Sequence, residues 1–184
     1  TLINCQFTGV VTGDSEVGGI VGRNESEGTI DHGTARAIVT GKSSTGGIAG
    51  YNLGAITGCT NVGSINTEYQ EASLDTDGFT AKMVDQINNK MAAADNDATN
   101  SVTNVATDTG GIAGRSSGMI LTSVNTGAVG YEHVGYNVGG IVGRTDGLVS
   151  GCVNQGHVLG RKDVGGIAGQ AEPYRELDLS RIPS

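Results

Sequence analysis

The side chains in this chain that could do chemistry are three histidines, three cysteines and a surplus of carboxylates. A zinc hydrolase would place two histidines one helical turn apart beside a glutamate. His32, His133 and His157 are scattered, with no such spacing. Gly41-Lys42-Ser43 has the ending of a phosphate-binding loop without its opening glycine. A glycoside hydrolase needs two carboxylates flanking one bond, so the placement of Asp14, Asp31, Asp146 and Asp163 decides whether that chemistry is open. The only aromatic cluster is Tyr131-Glu132-His133-Val134-Gly135-Tyr136. Tyr131, His133 and Tyr136 there are the candidate contacts for a partner, since loops on a rigid scaffold are where binding resides.

The elements that must position these groups are written in a repeated phrase. Gly18-Gly19-Ile20-Val21-Gly22 returns with its first glycine at 46, 110, 139 and 165, steps of 28, 64, 29 and 26 residues. A fixed period of that size signals stacked repeats. Each period holds three aliphatic columns. The first is Leu2, Ile30, Ile56, Ile120 and Val149; the second is Val11, Val39, Ile65, Val129 and Val158; the third is the isoleucine of the phrase, at 20, 48, 112, 141 and 167. Steps of eight to ten residues with small-residue turns between them predict short strands and tight corners. The fold class is therefore all-β: a single-stranded, right-handed β-helix or solenoid of about five three-sided coils. The 32 glycines suit such a narrow core, supplying positive φ at corners and close backbone stacking.

The alignment assigns roles to other residues. Asn61, Asn125 and Asn154 share a column and predict an amide ladder along the axis, with an amide row that binds ligand as the alternative. Cys5, Cys59 and Cys152 share a column with Gly33 and Ser123. Neighbouring cysteines then stand two coils apart, about 9.6 Å, too far for a disulfide. Three free, inward-facing thiols follow. Asp31, Asp146 and Asp163 fall on different faces, while Asp14 and Asp163 fall in equivalent loops where Ser43 replaces them one coil later. Catalysis, a metal and a cofactor are therefore not expected, with a polysaccharide-active β-helix enzyme as the alternative.

The long step marks an acidic insertion within 66–108, where eight acids face Lys82 and Lys90 and most of the net charge of -8 resides. Phe79, Met83, Ile87 and Met91 recur every fourth residue there, which predicts a helix at about 78–94. Its apolar stripe either covers a side of the solenoid or recruits a partner, so Phe79 and Met83 join the candidate contacts. Residues 1–170 form the repeat domain, and 171–184 read as an exit segment or linker. Because Thr1 falls inside a repeat, a piece of a larger protein with adjoining domains is expected. No basic patch suggests nucleic acid, and no apolar run approaches the ~20 residues that span a bilayer.

Gly19-Ile20-Val21-Gly22-Arg23-Asn24, Gly28-Thr29-Ile30 and the stretch from Ala35 to Gly41 resemble the GLUG motif. Similar repeats occur in bacterial surface proteins, both adhesin-like proteins and the non-catalytic repeats of immunoglobulin A peptidases. Gly135-Tyr136-Asn137-Val138-Gly139-Gly140-Ile141 and Arg161-Lys162-Asp163-Val164-Gly165-Gly166-Ile167 also look like uncharacterised surface proteins of Gram-positive gut bacteria. The resemblance implies an extracellular, cell-surface or cell-wall module. Such a module would be a structural or adhesive scaffold that meets a host or cell-surface glycan or protein, or an accessory region of a surface peptidase. It supplies no catalytic residues.

Overall fold

The computed structural model describes residues 1–68 and 106–173, which belong to one compact unit of the chain. The expected helix at 78–94, with Phe79 and Met83, lies outside the described residues. So does the exit segment from 174 onward.

The first coil runs through β1 (Leu2–Ile3), β2 (Gln6–Thr12), β3 (Ser15–Gly18) and β4 (Val21–Asn24). The second repeats it as β5 (Thr29–Asp31), β6 (Thr34–Thr40), β7 (Ser43–Gly46) and β8 (Ala49–Asn52). The third is β9 (Ala55–Thr57), β10 (Thr60–Asn61), β11 (Thr107–Gly110) and β12 (Ala113–Ser116). The fourth is β13 (Met119–Leu121), β14 (Val124–Asn125), β15 (Tyr136–Gly139) and β16 (Val142–Thr145). The fifth is β17 (Leu148–Ser150), β18 (Val153–Asn154), β19 (Lys162–Gly165) and β20 (Ala168–Ala171). Corresponding strands stack in parallel into four five-stranded sheets, so the fold is a β-solenoid.

The three aliphatic columns are in register. Leu2 pairs with Ile30, Ile30 with Ile56, Ile56 with Ile120 and Ile120 with Val149. Val11 meets Val39, and bridges carry the line through Ile65 and Val129 to Val158. In the third column the Ile20 N–H donates to Ile48, Ile48 to Ile112, Ile112 to Ile141 and Ile141 to Ile167, all to carbonyls at 2.8–3.0 Å. That isoleucine occupies a bend, not a strand. The expected third side is thereby divided into two strands, and each coil carries four.

The reason for the bend is steric. A Cβ on the second glycine of the phrase would collide with the carbonyl oxygen of its counterpart one coil on: Gly19 with Gly47, Gly47 with Gly111, Gly111 with Gly140, and Gly140 with Gly166. Only a residue without a Cβ lets the backbone turn inward there and drive the following isoleucine into the core.

The left-handed corners, by contrast, are not where the glycines of the phrase stand. One such column is Glu16, Ser44, Asp108, Asn137 and Asp163, with φ of 50–54°. Another is Asn4, His32, Gly58, Thr122 and Gly151. The expectation that glycine supplies most positive-φ corners is corrected. Asparagine and aspartate tolerate this region better than most residues, and the phrase spends its glycines on contact distance.

Two clusters fill the interior. Ile30, Ile48, Ile56, Ile112, Ile120 and Ile141 form the larger, and Val17, Val39, Ile65, Val129 and Val138 the smaller. The strand lattice continues slightly past the expected boundary at 170, since β20 ends at Ala171 and the Glu172 N–H donates to the Thr145 carbonyl.

Candidate functional site

Two rows of polar side chains inside the solenoid form axial ladders, while the fully buried Thr45 hydroxyl has no partner among the described residues. The Asn61 Nδ2 donates to Asn125 Oδ1 and the Asn125 Nδ2 to Asn154 Oδ1, both at 2.8 Å. Asn61 and Asn125 are fully buried. Each amide also closes a turn on the glycine two residues ahead: Asn61 on Gly63, Asn125 on Gly127 and Asn154 on Gly156. A buried amide with its donors and acceptor engaged has nothing left for a ligand, and the ladder reading holds.

A second ladder escaped the sequence analysis. The Asn24 Nδ2 donates to Asn52 Oδ1 at 2.8 Å, the Asn52 Nδ2 to Ser116 Oγ at 3.0 Å, and the Thr145 hydroxyl to the Ser116 carbonyl at 2.9 Å. The signal was the polar residue two places after the third glycine in the first four phrases. Because its identity changes from asparagine to serine to threonine, no single residue type flags the column.

The cysteines are free and lie in the expected column. The Gly33 N–H points at Cys59 Sγ, 3.3 Å away, and the Cys59 N–H donates to Ser123 Oγ at 3.2 Å. Cys59 is buried, whereas Cys5 and Cys152, in the first and last coils, are half-buried. Burial pushes the Cys59 thiol pKa up, with hydrogen bonds from Gly33 and to Thr57 acting the other way. A thiol held protonated is a poor nucleophile.

The carboxylates are distributed around the prism. Asp31 ends β5, Asp163 lies within β19, and Asp146 follows β16. The alignment of Asp14 with Asp163 is corrected. Ser15 pairs with Ser43, and Tyr136 pairs with Lys162, so Asp14 takes the place before the strand that Arg161 takes in the last coil. Asp163 instead shares its column with Glu16. The Gly-Gly bend sets this register, and Asp14 stands four residues before it whereas Asp163 stands two. Asp14 is bound to Lys42 of the next coil at 2.6 Å.

What the structure does bring together is the corner between the second and third strands of each coil. In the first, second and fifth coils it is closed by Gly13-Asp14, Gly41-Lys42 and Gly160-Arg161. In the third coil the chain leaves it after Asn66 and returns at Ala106; in the fourth it carries residues 131–135. Both departures from the repeat therefore open on one corner, in adjacent coils. The two roots touch, since the Tyr136 N–H donates to the Ala106 carbonyl at 3.1 Å. Asn66 pins the exit: its Oδ1 accepts from the Gly41 N–H at 2.8 Å and its Nδ2 donates to Thr109 Oγ1 at 3.0 Å.

The candidate contacts on this corner divide. Tyr131 and Val134 bridge across a tight turn that leaves Tyr131 42 % exposed. His133, at its tip, has φ of 59° and a side chain 87 % exposed, with its Nε2 3.4 Å from Glu132 Oε1. Tyr136 belongs to β15 and is half-buried, with the Arg161 guanidinium of the next coil 5.8 Å from its ring. Tyr136 is thus a stacking residue of the wall, and Tyr131 and His133 are the outward pair.

A further polar row runs along the fourth sheet: Arg23, Tyr51, Arg115, Arg144 and Gln170. The guanidinium groups of Arg23 and Arg115 flank the Tyr51 ring at 4.9 and 5.2 Å. Arg23 is held by Glu25 and Glu16, and Arg144 by Glu172; these carboxylates raise both guanidinium pKa values further. Among the described residues Arg115 is the arginine of the row without a carboxylate. The row was legible in the sequence, as the residue after the third glycine of every phrase.

Compared with protein-family models, with curated proteins and with solved structures, the chain matches none.

Proposed function

We propose that this chain is a non-catalytic structural or adhesive repeat module of a secreted, cell-surface bacterial protein, a GLUG-type solenoid acting as a rigid stalk or binding scaffold. The observation that carries the reading is the location of both departures from the repeat on one corner of an otherwise regular stack. Repeats that touch only their neighbours give a stiff spacer, and loops grouped on one edge of such a spacer are a way to display a binding surface. The resemblance to bacterial surface repeats supports the same reading, and so does the engagement of the interior asparagine amides in ladders. A host or cell-surface glycan or protein is the ligand class this geometry suits. Tyr131 and His133 are the described contacts, and the acidic insertion is the larger one.

The test is a corner-shortened variant, in which residues 67–106 and 131–135 are each replaced by Gly-Lys, the closure of the second coil. The variant and the parent are compared on arrays of host glycans and surface proteins. The reading expects a variant that keeps the cooperative unfolding transition of the β-solenoid but has lost the parent's ligands. Retention of every ligand by the folded variant would overturn it, as would polysaccharide cleavage by the parent.

A further inference from the structure

The third coil is written in two places. Its first half, β9 and β10 with Ile65 and Asn66, closes the segment 1–68, and its second half, β11 and β12, opens the segment 106–173. All four sheets cross the seam between these segments. β9 pairs with β13, β10 with β14, β7 with β11 and β8 with β12. The three aliphatic columns cross it too, with Ile48 against Ile112, Ile56 against Ile120 and Ile65 against Val129, each fully buried.

The seam also carries hydrogen bonds of its own. The Asn52 Nδ2 donates to Ser116 Oγ at 3.0 Å, the Asn61 Nδ2 to Asn125 Oδ1 at 2.8 Å, the Asn66 Nδ2 to Thr109 Oγ1 at 3.0 Å and the Cys59 N–H to Ser123 Oγ at 3.2 Å. Asn52, Asn61, Ser116, Ser123 and Asn125 are fully buried. Neighbouring steps between coils use other pairs: Asn24 meets Asn52 in the step before, and the Thr145 hydroxyl turns to the Ser116 carbonyl in the step after. A buried polar group that loses its partner costs about 1–3 kcal/mol. A shifted register, or a coil of other sequence, therefore fits this seam worse.

We infer that 1–68 and 106–173 are two parts of one solenoid that bind each other through this seam, and that chain continuity through 69–105 is not what holds them together. Each part is the partner that the other fits, half a coil against half a coil in a single register. The module can then exist as two chains, interrupted between Glu68 and Ala106 and still closed along every sheet. No strand has to move, because the contact is the one each coil already makes with the next. What the covalent connection adds is effective concentration, on the order of a millimolar for a flexible link. The inference goes beyond the proposed display of ligand sites, since it concerns only how the described residues hold one another.

The experiment replaces residues 70–104 by a glycine-serine segment of equal length carrying the recognition sequence of a site-specific protease. Every described residue is kept, and denaturing electrophoresis verifies the cut. The cut protein is expected to elute in size-exclusion chromatography with both pieces in one peak at about 1 μM. Its melting temperature should rise with protein concentration, as that of a bimolecular assembly does, while that of the uncut protein stays fixed. Gly47→Ala sets a methyl group of one part against the Gly111 carbonyl of the other, and should raise the dissociation constant of the cut protein at least about tenfold. The inference is overturned if the pieces separate or precipitate at about 10 μM in native buffer, or if the Gly47→Ala pieces hold as tightly as the parent's. An uncut variant that does not fold also overturns it, since the seam would then depend on the insertion. Ligand binding is not a readout here, so this inference and the proposed function fail separately.

Discussion

Two corners of the same coil obey opposite rules. The Gly-Gly-Ile corner is the same in all five coils, with glycine where the next coil's backbone arrives and isoleucine on the axis. The corner before the third strand, counted from Thr12, Thr40, Asn66, Gly130 and Leu159, holds two residues in three coils, 131–135 in the fourth and 67–106 in the third. The first turns inward, and every atom it adds displaces a neighbour's backbone. The second tolerates extra chain, since the strands on either side of each interruption keep their register. Long loops add little closure entropy once their ends are fixed. The difference shows why variation, and with it the proposed binding surface, collects on one edge of the solenoid.

The contrast can be broken most severely from within. Ile48→Asp puts an unpaired carboxylate into the fully buried column, and a loss of more than about 5 kcal/mol, the scale of a whole domain's stability, is expected. Far-ultraviolet circular dichroism at neutral pH should show an unfolded chain. Gly111→Ala adds one methyl where the Gly140 carbonyl and the Asn125 amide stand. A loss of about 3 kcal/mol is expected from such overpacking, read as a lower denaturant midpoint at constant slope; a midpoint like the parent's would remove the steric account of the phrase.

Smaller effects sharpen the comparison. Thr122 is an exposed β-branched residue at φ 46°, between Gly58 and Gly151 in its column. Thr122→Gly should raise stability by about 0.5–1 kcal/mol, relief of left-handed strain less glycine's own entropic cost. Thermal melting checks the sign, and a lower melting temperature contradicts it. Tyr136→Ala removes a half-buried ring with Arg161 beside it. The chain should remain folded with a loss below about 1 kcal/mol, measured by the same denaturant titration. A larger loss would show that the outward corner is itself a packing element.

Much of the architecture was legible because the repeat presents each column five times. Isoleucine or valine at equivalent places named the core, and the recurring asparagine and cysteine named two interior rows. What stayed hidden depends on identity less than on geometry. Glu16, Ser44, Asp108, Asn137 and Asp163 have little in common as residue types, yet all turn left-handed because the strand bends at that place in every coil. The second ladder changes from asparagine to serine and threonine while keeping its axial bonds. Asp14 and Asp163 look alike in sequence and are separated by a two-residue difference in register.

By itself, then, the sequence determined the period, the three aliphatic columns, the spacing of the thiols and the positions where the repeat is interrupted. These follow from the chemistry of single residues counted along the chain. Only the tertiary structure decided that each coil has four strands and that both interruptions open on one corner. Those are relations between residues far apart in the chain, fixed by where one backbone leaves room for another.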